Sequence, residues 1–459
     1  MSSRFALTAG ALVLLMPVGF SQDFQPRLGD PIPGLTPAQM LLFEEGLVAF
    51  ETDLPIGEGL GPIMNDTSCA ICHLHPAVGG GSNRKVNRFG KAASGMTPFD
   101  PLDALGGTLQ QVQSIDAVNC SEFIPPEADV VAQRMTPHTF GSGLLESVAA
   151  ADILFNEANQ PGGMTGYVRM ITPIEGGPAR PGRFGWKGSV ATVMTFSADA
   201  ARNEMGLTSV FFPTENAPNG DAMVLAACDT VADPEDFPDA GGRTKIQRFT
   251  DFQRLLAPPA QSPKTGMSGE AIFEIVGCAD CHLTRSYTTE VVAEAALSGV
   301  TIKPYSDFLV HDMGALGDGI VDGPVGETEF MTRALWGLQA RGDDMLHDGR
   351  ATAGTFRENM VMAIDEHRGA ASASRAAALA LSGAEMDRMV AFLGSLGRIE
   401  FDWEGDNDVD EFDWFFLLPL MTGPGPVLTP DHPASLADVD ADGDFDMKDF
   451  AVLQRAWTN

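Results

Sequence analysis

Ser68-Cys69-Ala70-Ile71-Cys72-His73 and Gly277-Cys278-Ala279-Asp280-Cys281-His282 decide how this chain reads. Each contains Cys-x-x-Cys-His, the spacing that attaches a c-type haem. The two thiols reach the two vinyl groups of one porphyrin, and the adjacent imidazole reaches the iron as proximal ligand. A zinc site would leave the histidine directly after the second cysteine unexplained. A thiol redox pair would need a βαβ setting that the flanks lack. Two covalently bound haem c groups are therefore expected, on Cys69, Cys72 and His73 and on Cys278, Cys281 and His282.

Outward from each motif the chain is helical. Thr36 as N-cap and Pro37 at the first helical position open a helix with Met40, Phe43, Leu47 and Phe50 on one face. A glycine-rich connection through Gly57, Gly59 and Gly61 leads from it to the first motif. A second helix runs from Ser268 through Ile272, Phe273 and Val276 into the second motif, so the layout is used twice. A capping box of Ser382 and Glu385 starts a closing helix with Met386, Met389, Val390, Leu393 and Leu396 inward, and Gly397 stops it. Residues 79–245 read as short strands and turns, and Pro258-Pro259 with Ser262-Pro263 as a linker.

The 459 residues imply two to four units, and 44% apolar residues suffice for sizeable cores. A net charge of -33 argues against nucleic acid and anionic membrane surfaces as partners. Arg4, the apolar run Phe5 to Phe20 and the small-residue site at Gly19-Phe20-Ser21 read as a signal peptide. The run is short for a spanning helix, which needs ~20 residues, and Pro17 interrupts it. No other stretch spans a bilayer, so a periplasmic or secreted location is expected, with no membrane span after signal removal. Cys120 and Cys228 remain. They are able to pair in an oxidising compartment, and the sequence leaves that open.

The last 60 positions change character, with 15 acidic and 2 basic residues. Asp402, Glu404, Asp406, Asp410 and Asp413 occupy positions 1, 3, 5, 9 and 12 of a calcium loop. Asp438, Asp440, Asp442, Asp446 and Asp449 repeat the pattern 36 residues later. Asn407 and Gly443 take the turn position, where a left-handed backbone is needed. The duplicate resembles a type I dockerin and implies calcium and an EF-hand-like unit. The places that carry a small hydroxyl pair in dockerins hold Glu411-Phe412 and Met447-Lys448. The tail therefore reads as a calcium-stapled anchoring or interaction module that offers a site to a protein partner.

From about residue 36 to 398 the chain resembles the di-haem oxidoreductases sometimes called thiol oxidoreductases, relatives of the bacterial di-haem cytochrome c peroxidases. The resemblance is carried by Gly59-Leu60-Gly61-Pro62 with Asn65, by Gly141-Ser142-Gly143-Leu144-Leu145-Glu146, and by Gly182-Arg183-Phe184-Gly185-Trp186-Lys187. Glu204-Met205-Gly206, His311-Asp312-Met313-Gly314, Leu335-Trp336-Gly337-Leu338 and Leu346-His347-Asp348-Gly349-Arg350 complete it. It implies that Trp186 sits between the haems, that His367 is the sixth ligand of the second haem, and that Glu204 is an acid/base carboxylate. His138, His311 and His347 are further histidines near the haems, His138 being the candidate for the first. The peroxidases place a Gln and a Pro upstream of the glutamate, where this chain reads Val193-Met194-Thr195-Phe196-Ser197-Ala198.

The expected architecture is mainly α: two cytochrome c-like haem domains with long irregular insertions and a small dockerin-like domain. The boundaries are 1–21 signal peptide, 22–257 first haem domain, 264–398 second haem domain and 400–459 calcium-binding domain. The expected function is an exported oxidoreductase in which one haem relays electrons and the other meets the substrate. Its redox partner would be a small protein or a small-molecule donor or acceptor. A hydrogen peroxide-reducing peroxidase and a non-catalytic electron-transfer cytochrome are the alternatives.

Overall fold

The computed structural model describes residues 26–262, 267–341, 344–352, 354–399, 401–403, 407–425, 428–429, 432, 434, 437–438 and 442–457. The signal-peptide segment and the calcium-loop residues Glu404, Asp406 and Asp440 lie outside them. Helices dominate. Among the described residues the strands form five two-stranded antiparallel sheets, the longest pairing Ser82–Gly90 with Val130–Thr136. No described helix is long and apolar enough to cross a membrane.

Helix Pro37–Glu51 begins at Thr36, whose hydroxyl accepts from Gln39 N while the Gln39 side chain answers to Thr36 N. Two orphan amides are thereby satisfied. Its Phe43 and Phe50 are buried against Phe249 and Phe252 of helix Lys245–Leu255. Gly46 makes this crossing possible, since a Cβ there would lie 2.6 Å from Arg248 O. Helix Ser268–Ile275 packs in the same manner on helix Gly383–Ser395, with Phe273 on Phe392 and Gly269 against Arg388 O. The Ser382–Glu385 capping box forms, and Gly397 takes φ +84° as the stop requires.

Residues 79–245 contain more helix than their glycine content suggests: Ser142–Glu146, Ala150–Ala158, Val193–Ala200 and Ala222–Cys228. Each is short and fixed by tertiary contacts, which sequence periodicity does not register. Cys120 and Cys228 form a disulfide across this region. The proline segment read as a linker is packed. Ala257 and Ala260 are buried, Pro259 lies against Gly337 and Gly397, and Ser262 Oγ donates to Ser395 O. The two halves also share a core in which Leu144, Val148 and Phe184 meet Tyr287, Leu297, Phe308 and Trp336.

The tail packs a small core of its own around Val409, Leu417, Phe445 and Leu453, joined by Ala260 and Ile399 of the body. Asn407 bonds both backbone groups of Leu28, which docks the first tail loop on the N-terminal segment.

Candidate functional site

In both motifs the histidine is fixed through its Nδ1. His73 Nδ1 lies 2.9 Å from Gly80 O, and His282 Nδ1 lies 3.0 Å from Tyr305 O. A ring that gives Nδ1–H to a carbonyl presents Nε2 as a lone-pair donor, the arrangement of a metal-bound imidazole. Burial lowers the pKa of both rings, that of His282 to about 4, so both are neutral at pH 7. Burial pushes the Cys69 and Cys278 thiols up to about 12 and Cys72 to about 11. A thiol redox pair needs the opposite shift.

The second motif opens into a cavity of about 210 Å³, whose walls include Cys278, Cys281, His282, Phe273, Met360, Met389 and Leu393. His367 lines the same space. It follows helix Phe356–Glu366, and its Nδ1 lies 2.7 Å from Ala363 O, so it too presents Nε2. One apolar cavity thus offers two thiols and two imidazoles with their Nδ1 positions occupied. That donor set fits an iron porphyrin, which the two thiols would hold covalently and to which the two imidazoles would offer nitrogen.

Three further features of the cavity escape sequence reading. His311 Nε2 lies 2.8 Å from Asp307 Oδ2, both side chains being buried, while His311 Nδ1 meets no partner. Left-handed backbone at Tyr305 and Phe308 folds the segment so that residues four apart meet, and no local pattern announces this. His347 is buried, stacks on Phe330 at 4.3 Å and stands edge-on to Trp186 at 6.2 Å. Burial lowers its pKa to about 4. Arg333 and Arg341 place their guanidiniums over the Trp186 ring at 5.5 and 5.8 Å. Burial lowers both to about 10, and among the described residues neither meets a carboxylate.

Trp186 donates from Nε1 to Met135 O at 3.0 Å, and the next residue anchors the turn. Lys187 donates to Gly326 O and Glu329 O and lies 3.5 Å from Asp318, which also pairs with Arg134 at 2.6 Å. On the far side of the two arginines His138 and Trp336 line a small cavity of about 20 Å³. His138 stacks on Phe140. Burial and the two guanidiniums drive its pKa down to about 3, and its Nδ1 is buried without a partner. His73 adds to that effect from the first motif. Arg333 and Arg341 therefore line both cavities, and Trp186, which they cover, lines that of the second motif.

Glu204 sits in a single wide π turn, Ala201–Met205. Its Oε2 accepts from Asn65 Nδ2 at 2.6 Å, and its carbonyl accepts from the amides of Asn65 and Asp66. Burial raises its pKa, with Asn65 and Arg88 opposing, and its charge is felt by Cys69 and Cys72. The structure thus brings Glu204 to the first motif and His367, Trp186, His311 and His347 to the second.

In the tail, Asp402 accepts from Asn407 N, and Asp438 accepts from Asp442 N and Gly443 N, each first-position carboxylate closing its own loop. Asn407 and Gly443 have φ +77° and +91°. Asp410 and Asp446 cap the helices Glu411–Leu417 and Met447–Ala456 in matching capping boxes with Asp413 and Asp449. The carboxylates brought within 4.8 Å of one another are Asp408, Asp410 and Asp413, and Asp444, Asp446 and Asp449. Asp408 and Asp444 thus join carboxylates expected from the sequence.

A family model described as "Di-haem oxidoreductase, putative peroxidase" matches residues 111–396. Comparison with curated proteins found no match. Among solved structures, hydrazine synthase of Kuenenia stuttgartiensis aligns over 86% of this chain and 100% of its own, at 14% identity and a TM-score of 0.34.

Proposed function

The chain belongs to the di-haem oxidoreductase family, and from that premise we propose an exported enzyme in which two covalent haem c groups divide relay and substrate chemistry. The first group is held by Cys69, Cys72 and His73, the second by Cys278, Cys281 and His282, with His367 as sixth ligand of the second. The carrying observation is the shared cavity of His282 and His367, each with Nδ1 on a main-chain carbonyl. Bound there, haem supplies one-electron redox chemistry at iron.

The protein's own residues do the rest. With nitrogen from both His282 and His367 the second site would suit storing and passing an electron rather than binding substrate. Trp186, flanked by Arg333 and Arg341, is the aromatic step between the sites. The two guanidiniums would be partners for haem propionates, since among the described residues neither meets a carboxylate. The first site is the one that meets substrate. Glu204, held by Asn65 with its pKa raised, carries or accepts the proton there, on the atom Oε2 or its neighbour.

Hydrogen peroxide reduction is a second reading, favoured by a buried acid/base carboxylate next to the first motif. Protein from a host that matures c-type cytochromes should contain two haems per chain by the pyridine haemochrome assay. One low-spin and one high-spin or substrate-responsive haem support the enzyme. Two low-spin haems in every redox state would mean an electron carrier, and peroxide turnover separates the first reading from the second. For the tail we propose two calcium ions, on Asp402, Glu404, Asp406, Asp410 and Asp413 and on Asp438, Asp440, Asp442, Asp446 and Asp449. The exposed Phe412, Phe415 and Phe416 are the face offered to a protein partner.

A further inference from the structure

Away from both motifs and from the tail, three carboxylates converge. One ligand oxygen each from Glu215, Asp233 and Glu235 lies within 4.8 Å of the others. Acidic clusters are common on surfaces and usually mean nothing. This one differs in Glu215, which is only 5% exposed and whose two carboxylate oxygens are both buried without a hydrogen-bond partner. The neighbours that act on it most strongly are acids, Glu235 first and then Asp233 and Asp229, and the Glu235 carboxyl stands near enough to share a proton with it. A buried carboxylate aimed at two others, with no cationic side chain beside it among the described residues, is among the least favourable polar arrangements a fold retains. A hard divalent cation removes the problem in one step, because each oxygen that lacks a donor becomes a ligand.

We propose that Glu215, Asp233 and Glu235 form a calcium site. Thr208 completes its frame. Its amide donates to Glu235 Oε2 at 2.9 Å, and its hydroxyl contacts Asp233 Oδ1 at 2.8 Å and Glu235 as well. All four groups are oxygens, the donor type calcium prefers, and among the described residues no histidine or cysteine joins them to favour a softer metal. Carboxylates from two separate stretches of chain, with water for the remaining positions, suit the flexible six- to eight-fold shell of calcium better than the strict octahedron of magnesium.

The site has a mechanical consequence. Thr208 lies four residues after Glu204, and Leu207 N bonds Ala201 O at the end of the π turn. Glu235 packs against Gly59, in the connection that leads to the first Cys-x-x-Cys-His. A cation here ties the segment that follows Glu204 to residues 233–235 and fixes both beside that connection. The proposal stands whatever fills the two Cys-x-x-Cys-His sites.

The test uses full-length holoprotein stripped with EDTA and titrated calorimetrically with calcium chloride. Wild type is expected to bind one equivalent more than Glu215→Gln, whose haem content should be unchanged. Asp449→Ala in the tail should keep that equivalent. Glu215→Gln is expected to fold, since it removes a stranded charge. Glu235→Gln, at a partly exposed position, gives a second variant in which affinity should fall at least tenfold. Calcium should also raise the unfolding temperature of wild type more than that of either variant. If the isotherms of wild type and both variants superimpose, the three carboxylates share protons instead of a metal, and the proposal is overturned.

Discussion

Asp318→Asn should destabilise this protein far more than a single amide-for-acid exchange suggests. Asp318 is the only carboxylate that pairs with both Arg134 and Lys187 among the described residues, at 2.6 and 3.5 Å, with side chains 8% and 0% exposed. Removing one partner of a buried ion pair costs roughly 3–5 kcal/mol, because the surviving charge stays buried. The two cations differ in how they escape. Arginine keeps its proton near neutral pH. Lys187 is already held down to about 8 by burial, with Asp318 opposing that fall. Without Asp318 the lysine sheds its proton more readily near neutral pH, so the residual penalty is chiefly that of Arg134. The expectation is a loss of about 3 kcal/mol at pH 7, near the lower end of that range.

The pH dependence carries a separate signature. A lysine whose folded pKa is depressed contributes stability that is present above its unfolded pKa and is lost as pH falls through the folded value. Wild type should therefore gain up to about 3 kcal/mol from this group between pH 8 and 10.5. In Asp318→Asn the same gain should begin at lower pH. Guanidinium unfolding of the holoprotein, followed by far-ultraviolet circular dichroism at several pH values, measures both effects. Arg134→Leu combined with Asp318→Asn should recover much of the loss, since the permanently charged partner is gone. A single variant that loses less than about 1 kcal/mol at pH 7 would refute the reasoning.

Other outcomes follow from single contacts. His367→Ala should convert the second haem from low to high spin, read by electron paramagnetic resonance, and leave the first unchanged; an unaltered spectrum removes His367 from the ligand set. Glu122, 7% exposed and raised by burial to about 7, stabilises the fold below its unfolded pKa of 4.5, and this is lost as pH rises through 7. Glu122→Gln should flatten that decline, worth at most about 3 kcal/mol. The Cys120–Cys228 disulfide closes a separation of 108 residues. Cys120→Ser should cost up to about 4 kcal/mol, seen as a lower guanidinium midpoint that reductant does not lower further. Asp442→Ala should weaken calcium binding by the tail in calorimetry while haem content stays constant.

What the sequence by itself determined was the chemistry that local order encodes. Cys-x-x-Cys-His is a covalent constraint spanning five residues, so its meaning survives without a fold. The helices at Thr36, Ser268 and Ser382 were legible because caps and 3.6-residue periodicity are local too, and the 36-residue spacing of the two acidic loops needed only counting. The tertiary structure decided whatever depends on chain reversal. It paired Asp307 with His311 through left-handed residues, set Arg333 and Arg341 on Trp186, and turned a proline segment read as a linker into part of the packed body. It also gathered Glu215 and Asp233, 18 positions apart and unremarkable in composition, around one buried point. Such convergence is bought by packing that no single stretch contains, because side chains distant in sequence acquire common neighbours only when the intervening segments fold back on one another.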